Sequence, residues 1–135
     1  MSVTHDEARL ILDTCVAKAD EMSLKVGIAV VDEHAKLQAL IVMSGARYEF
    51  LAEAAAGKAM ASVVWGGQFS GALNERGSSP MFVAVNKVYG ERLFYQQGAV
   101  PIKRGDVVVG AVGVGGAASQ QDEDIAAAGA AIVVG

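Results

Sequence analysis

The stretch PIKRGDVVVGAVGVGG, residues 101–116, decides the fold. A proline-led strand leads into a charged turn, and residues 107–114 follow as a strand that is apolar on both faces. Because such a strand must be covered on both sides, we expect helices on both faces of its sheet. The glycines at 113, 115 and 116 lie between this strand and the start of a helix. There, backbone N–H groups can approach a ligand closely, which suits an anion.

The remaining elements follow from capping signals and from the spacing of apolar residues. Thr4 and Glu7 form a capping box, and apolar residues recur at helical spacing as far as Met22. A second, alanine-rich helix is predicted at 49–64 and a last helix at 119–132, with an irregular segment at 66–80. Five strands are predicted, at residues 26–31, 37–43, 87–96, 99–103 and 107–114. The sequence therefore predicts one α+β domain over residues 1–135, with three layers and a five-stranded antiparallel sheet.

Composition excludes several functional classes. The net charge of −4 argues against a nucleic-acid groove, and no apolar run is long enough to span a membrane. A single cysteine, Cys15, excludes an internal disulfide and any multi-cysteine metal site, so no metal centre is expected. Asp13 interrupts the first apolar run, so the N-terminus does not have the pattern of a secretory signal and a cytoplasmic location is expected.

Two cations are candidate ligand-binding residues. Lys58, on the second predicted helix, has no acidic residue at i±3 or i±4, so a local ion pair does not explain it. Its side chain either extends to water or points to an anionic ligand or a distant carboxylate. Arg47, just before the same helix, could bind a carboxylate through both of its terminal nitrogens.

The candidate proton acceptor is Asp122, in the first turn of the last helix. Negative charge there is favourable to the helix dipole, and Asp122 is the acidic residue nearest to the glycine run. Gly113, Gly115 and Gly116 are the candidate backbone ligands, although glycines in a strand more often mark close packing. All eight aromatic residues lie between Tyr48 and Tyr95, where they could line a pocket, form a subunit contact or fill the core.

Several short motifs occur together in one order along nearly the whole chain. They are Val30-Val31-Asp32, Gly57-Lys58-Ala59-Met60-Ala61, Gly98-Ala99-Val100-Pro101-Ile102, Gly110-Ala111-Val112-Gly113-Val114-Gly115-Gly116 and Gln121-Asp122. This ordered set resembles the GlcG/HbpS family of haem-binding and haem-degrading proteins, which includes the C-terminal domain of PduO-type proteins. The resemblance implies a profilin-like fold, homo-oligomers that are often octameric, and binding of haem or a related tetrapyrrole in some members.

The chain departs from the family pattern at five positions. His34 and Ala99 stand where the pattern has glycine, Val42 and Ser44 where it has arginine and aspartate, and Gly115 where it has serine. Several of these departures remove polar groups, while Lys58, Asp122 and the glycine run remain. Two functional hypotheses follow. In the first, the protein binds haem or another small anion near Lys58, the glycines and the aromatic residues, without turnover. In the second, it is a small cofactor-independent isomerase, lyase or hydrolase that acts on a carboxylate-bearing catabolic metabolite.

The second hypothesis assigns a role to each candidate residue. Arg47 or Lys58 would anchor the carboxylate, Asp122 would act as a general base, and the glycine N–H groups would stabilise a developing oxyanion. A third alternative is a structural oligomer that binds no small ligand.

Overall fold

The computed structural model describes residues 2–133, and the strands in this range number four rather than five. In chain order they are β1 (Gly27–Asp32), β2 (Leu37–Val42), β3 (Ala99–Arg104) and β4 (Val107–Gly115). They form one antiparallel sheet in the order β2-β1-β4-β3, in which β1 and β4 are the central strands. The predicted α+β class with an antiparallel sheet is confirmed.

Helices cover both faces of this sheet. They are α1 (His5–Glu21), α2 (Leu51–Val64), α3 (Pro80–Val88) and α4 (Ser119–Ala130), with a 3-10 segment at Ser70–Arg76. Helices α1 and α4 pack on one face, against Ile28 and Val30 of β1 and Val112 and Val114 of β4. Helix α2 packs on the opposite face. The sheet is therefore the middle of three layers.

The predicted fifth strand, at residues 87–96, is wrong. Its first residues belong to the end of α3, which begins with Pro80 at the first helical position, where proline is favoured. Residues 89–91 form a turn, with positive φ at Gly90 and Glu91, and residues 92–96 have no strand partner. Instead, Asn86 Oδ1 accepts a hydrogen bond from the Leu93 N–H at 2.8 Å, and Asn86 Nδ2 donates one to the Leu93 carbonyl at 3.3 Å. A side chain thus satisfies backbone groups that a neighbouring strand would otherwise bind.

The sheet face beneath α2 is lined by very small residues. Gly27, Ala29, Ala111 and Gly113 point toward this helix, and all of them are buried. A Cβ added at Gly113 would lie 2.1 Å from the carbonyl oxygen of Ala55 on α2. The helix therefore rests almost directly on the backbone of the sheet, which fixes where its buried side chains lie.

The N-terminal signals behave as the sequence predicts. Thr4 caps α1 by accepting a hydrogen bond from the Glu7 N–H at 3.1 Å, and Glu7 accepts one from the Thr4 N–H at 2.9 Å. Glu7 also binds both terminal nitrogens of Arg104, which fastens the start of α1 to the β3–β4 turn. Within residues 2–133, none of the helices combines the length and the apolar character that crossing a membrane requires.

Candidate functional site

The site is built around the side chain of Lys58, which lies in the middle of α2 and is only 7% exposed. Its Nζ donates a hydrogen bond to the carbonyl oxygen of Val114 at 2.9 Å. Its path crosses Gly98, whose φ of +141° favours glycine and where a Cβ would lie 2.9 Å from Nζ. The lysine thus reaches the end of β4 because the position it crosses carries no side chain.

Asp122 is the second charged group at this point. It lies in the first turn of α4, is 2% exposed, and places Oδ2 at 3.5 Å from Lys58 Nζ. Its other oxygen, Oδ1, accepts a hydrogen bond from the Ala117 N–H at 3.0 Å. The carboxylate is therefore held by a backbone amide of the glycine-rich loop on one side and by the lysine on the other.

Burial shifts the pKa values of Lys58 and Asp122 toward each other. It lowers the pKa of the Lys58 amine from its ordinary value, and the attraction of Asp122 opposes this shift. It raises the pKa of the Asp122 carboxyl, and here the charge of Lys58 is the main opposing influence. Desolvation disfavours both charged forms, so the cost of moving a proton from Lys58 to Asp122 is smaller than it would be in water. Paired groups of this kind are typical of functional sites.

A cavity of about 380 Å³ opens beside this pair. Leu51, Ala54 and Lys58 line it from α2, because residues at these spacings share one face of a helix. The rest of the lining comes from the segment before α2, from the segment before β3, from the end of β4 and from the loop and first turn of α4. These residues are Tyr48, Phe50, Phe94, Gln96, Gln97, Gly115, Gly116, Ala117, Ser119 and Asp122. The cavity thus has a charged floor and aromatic sides.

Four of the six predicted site residues meet in this cavity: Lys58, Asp122, Gly115 and Gly116. The other two do not line it. Gly113 faces the backbone of α2, so its lack of a side chain serves close packing. Arg47 is exposed, and its guanidinium carbon lies 5.5 Å from the centre of the Tyr48 ring.

The sequence did not single out the individual aromatic and amide residues of the lining. Tyr48 and Phe50 stack with 5.5 Å between their ring centres, and Phe94 lies in the segment 87–96, where the sequence predicts a strand. The clustering of aromatic residues in the middle of the chain was the available signal. It also describes core filling, because Trp65 stacks on Phe82 at 3.8 Å in a separate cluster beneath α3.

A second cavity, of about 440 Å³, lies on the outer side of α2 toward β2. Its lining includes Leu37, Leu40, Met60 and Phe94, and His34 stands at its edge. The side chain of His34 is exposed and lies 3.7 Å from Glu33. Within the described part of the chain, no group of three or more histidine, cysteine, aspartate or glutamate residues is placed to hold a metal ion.

Comparison with protein families identifies the relationship. Residues 3–131 match the family described as haem degrading protein HbpS-like. The chain belongs to the HbpS-like family. This confirms the resemblance predicted from the ordered motifs, and the match covers nearly the whole chain. Among curated protein sequences, none matches the chain.

Solved structures support the same relationship. A double mutant of HbpS from Streptomyces reticuli is 25% identical to this chain, with a TM-score of 0.83 over 98% of this chain and 88% of that chain. The Klebsiella pneumoniae protein ORFY is 21% identical, with a TM-score of 0.84 over 96% and 88% of the two chains. The haem complex of PduOC is 19% identical, with a TM-score of 0.84 over 98% and 96%. At these identities, the last two similarities concern the fold.

Proposed function

We propose that this HbpS-like protein binds haem or a related tetrapyrrole in the cavity above Lys58 and Asp122. The observation that carries the proposal is that one cavity combines aromatic side chains with a buried ammonium group. A tetrapyrrole offers a large apolar ring system together with carboxylate groups, and this cavity offers partners for both. The family match and the haem complex of the structural relative PduOC support the same choice of ligand.

The aromatic side chains would contact the ring system. Tyr48 and Phe50 are exposed at the cavity although they are large and largely apolar, so a ligand that covers them removes unfavourable surface from water. Tyr48 also carries a phenol, which is a known type of ligand for haem iron. Bound iron would supply redox and oxygen chemistry, and the residues of this chain would orient the ring and restrict access of water.

Lys58 would bind a carboxylate of the ligand. Its 3.5 Å separation from Asp122 Oδ2 is longer than the ~2.7–2.9 Å of a strong charge-assisted hydrogen bond. The existing ion pair is therefore loose enough for a ligand carboxylate to compete for the ammonium. Asp122 remains held by the Ala117 N–H in that event.

Titration with haemin tests this proposal. We expect a saturable shift of the Soret band at micromolar haem, and about tenfold weaker binding in Lys58→Met, which corresponds to ~1.4 kcal/mol. Lys25→Met is the matched control, because Lys25 also pairs with a carboxylate, that of Asp20 at 3.3 Å, but is exposed and lies outside the cavity lining. Absence of a saturable shift in the unmodified protein would exclude haem. Equal weakening in both variants would exclude this cavity.

A second candidate function rests on the opposed pKa shifts of Lys58 and Asp122. Such a pair suits proton transfer, so the protein could instead isomerise, eliminate from or hydrolyse a carboxylate-bearing metabolite. Asp122 would act as the general base, with Lys58 as the anchor for the carboxylate, because Arg47 does not line the cavity. Lys58→Ala and Asp122→Asn should then each lower turnover by at least ~10²-fold. Full activity in both variants would refute these roles.

We also propose that the chain forms a homo-oligomer, with β2 as part of the contact; the resemblance implies an octamer. β2 is an edge strand whose outer backbone groups have no partner strand in the described sheet, and it exposes Leu37, Leu40, Ile41 and Val42. Proteins usually cover an edge of this kind. Light scattering coupled to size exclusion should give a multiple of 13.9 kDa that falls in Leu40→Lys. A monomeric wild-type chain would overturn this proposal.

A further inference from the structure

The amine of Lys58 differs from every other described lysine side chain in its surroundings. The remaining five are exposed or half-buried, and are Lys18, Lys25, Lys36, Lys87 and Lys103. Lys58 Nζ is enclosed by Gly98, Gly115, the Val114 carbonyl and the Asp122 carboxylate, yet its residue lines a cavity that opens to solvent. A small molecule that enters this cavity can therefore approach an amine from which bulk water is largely excluded.

These surroundings favour nucleophilic chemistry. An amine attacks only through its unprotonated form, and desolvation of a lysine in a cavity is a recognised way to make that form available near neutral pH. Each unit by which burial lowers the pKa of Lys58 raises the unprotonated fraction about tenfold at neutral pH. Asp122, 3.5 Å away, can accept the proton that the amine gives up and return it later.

We propose that Lys58 Nζ forms a Schiff base with a small carbonyl compound, an aldehyde or a 2-oxo acid, that enters the cavity. The inference rests on the proposed function only in taking this cavity as the ligand site. It adds a covalent reaction to that site, and neither haem binding nor general-base catalysis by Asp122 implies such a reaction.

The reaction needs only these two side chains and the carbonyl compound. Lys58 passes a proton to Asp122, and the Nζ lone pair forms a bond to the carbonyl carbon while the π electrons of the carbonyl move to its oxygen. Proton transfers through Asp122 give a neutral carbinolamine. Asp122 then protonates the hydroxyl group, which leaves as water while the nitrogen lone pair forms the C=N bond. The net change is the ammonium and a carbonyl compound to an iminium ion and one water, with Asp122 again a carboxylate beside the cation.

Reductive trapping tests this inference. The protein is incubated near neutral pH with acetaldehyde or with pyruvate, in the presence of cyanoborohydride, and is then digested for mass spectrometry. We expect Lys58 to gain the reduced adduct at least about tenfold faster than Lys25, whose amine is also paired with a carboxylate but is exposed to water. Modification of Lys58 by neither probe, or no faster than that of Lys25, would overturn the inference.

Two further measurements separate this inference from the proposed function. Lys58→Arg keeps a cation on α2 but has no primary amine, so it should lose the adduct while its far-ultraviolet circular dichroism spectrum stays that of the wild type. Saturable haem binding without trapping at Lys58 would refute the Schiff base and leave the proposed function standing. Trapping at Lys58 without haem binding would support the Schiff base and refute haem as the ligand.

Discussion

The glycines at 113 and 115 provide a matched pair of substitutions with opposite expected effects. They occupy the same face of β4, two residues apart, and neither has a positive φ. A Cβ at Gly113 would meet the Ala55 carbonyl oxygen at 2.1 Å and the Ala59 nitrogen at 2.8 Å. A Cβ at Gly115 would have its nearest contacts at 3.6 Å, with the Ala54 side chain and with Lys58 Nζ, which is ordinary van der Waals distance.

The magnitudes follow from these distances. To accept Gly113→Ala, α2 must retreat from the sheet by about 1 Å, and the obstructing atoms are backbone atoms that no rotamer change can move. We therefore expect a loss of about 3 kcal/mol in the free energy of unfolding, the upper part of the usual cost of overpacking. Gly115→Ala restricts the unfolded chain without a clash, so it should be neutral or stabilising by up to ~1 kcal/mol.

Urea unfolding, followed by tryptophan fluorescence, measures both effects. Trp65 is the sole tryptophan of the chain, is half-buried and stacks on Phe82, so its fluorescence should report the loss of the α2 layer. The m-values should stay equal while the midpoint falls in Gly113→Ala alone. Equal stability of the two variants would refute the argument that Gly113 serves the packing of α2.

Three further outcomes are expected. Lys58→Met should lose ~3 kcal/mol of unfolding free energy in the same urea assay, because Asp122 would stay buried without its cation. The double variant Lys58→Met with Asp122→Leu should recover most of this loss, because no unpaired charge then remains. The Lys58→Met variant should become less stable as the pH rises above the ordinary pKa of an aspartate. The reason is that burial raises the pKa of Asp122, so the folded protein holds this proton more strongly than the unfolded chain does. A stability that does not change with pH would contradict this. Hydrogen bonds from Arg104 and from the Thr4 N–H lower the pKa of Glu7 from 4.5 to about 2, so these contacts should stabilise the protein above pH 4.5 and lose their effect as the pH falls toward 2. Glu7→Gln should make the melting temperature depend less on pH over that window. An unchanged pH profile would exclude these contacts of Glu7 as a source of stability. Burial raises the pKa of Cys15 to about 12, so a disulfide reagent at pH 8 should modify this thiol only in denaturant. Rapid modification of the native protein would show that the Cys15 thiol is not buried.

The parts of the fold that the sequence predicts well are those fixed by local signals. The capping box at Thr4, the β1–β2 hairpin and the doubly covered strand β4 each depend on residues close together in the chain or on the pattern of a single strand. The predicted fifth strand is wrong because its apolar residues suit a helix end and an irregular segment as well as they suit a strand. The choice depends on Asn86, whose side chain binds both backbone groups of Leu93. The spacing of apolar residues in a sequence does not reveal a contact of that kind.

The candidate site was predictable in its charged residues but not in its geometry. The sequence indicates Lys58 because its own helix offers no acidic partner, and Asp122 because it follows the glycine run. That the two meet depends on a contact across 64 residues of sequence, which local patterns do not specify. The sequence does not distinguish Gly113 from Gly115 and Gly116, because close packing and ligand approach both require the absence of a side chain. Only the position of α2 distinguishes these two uses.

The structure shows which of the departures from the family pattern lie at the cavity beside Lys58. Val42, Ser44 and Ala99 do not line the cavity beside Lys58, so the change at these positions does not alter its lining. Gly115 is the departure that does line it. A serine at 115 would place its Cβ about 3.6 Å from Lys58 Nζ and could offer the ammonium a further hydrogen-bond acceptor. With glycine there, the described partners of the ammonium are the Val114 carbonyl and the loosely held Asp122 carboxylate. The substitution that removes a polar group from the site thus makes its lysine easier for a ligand to engage.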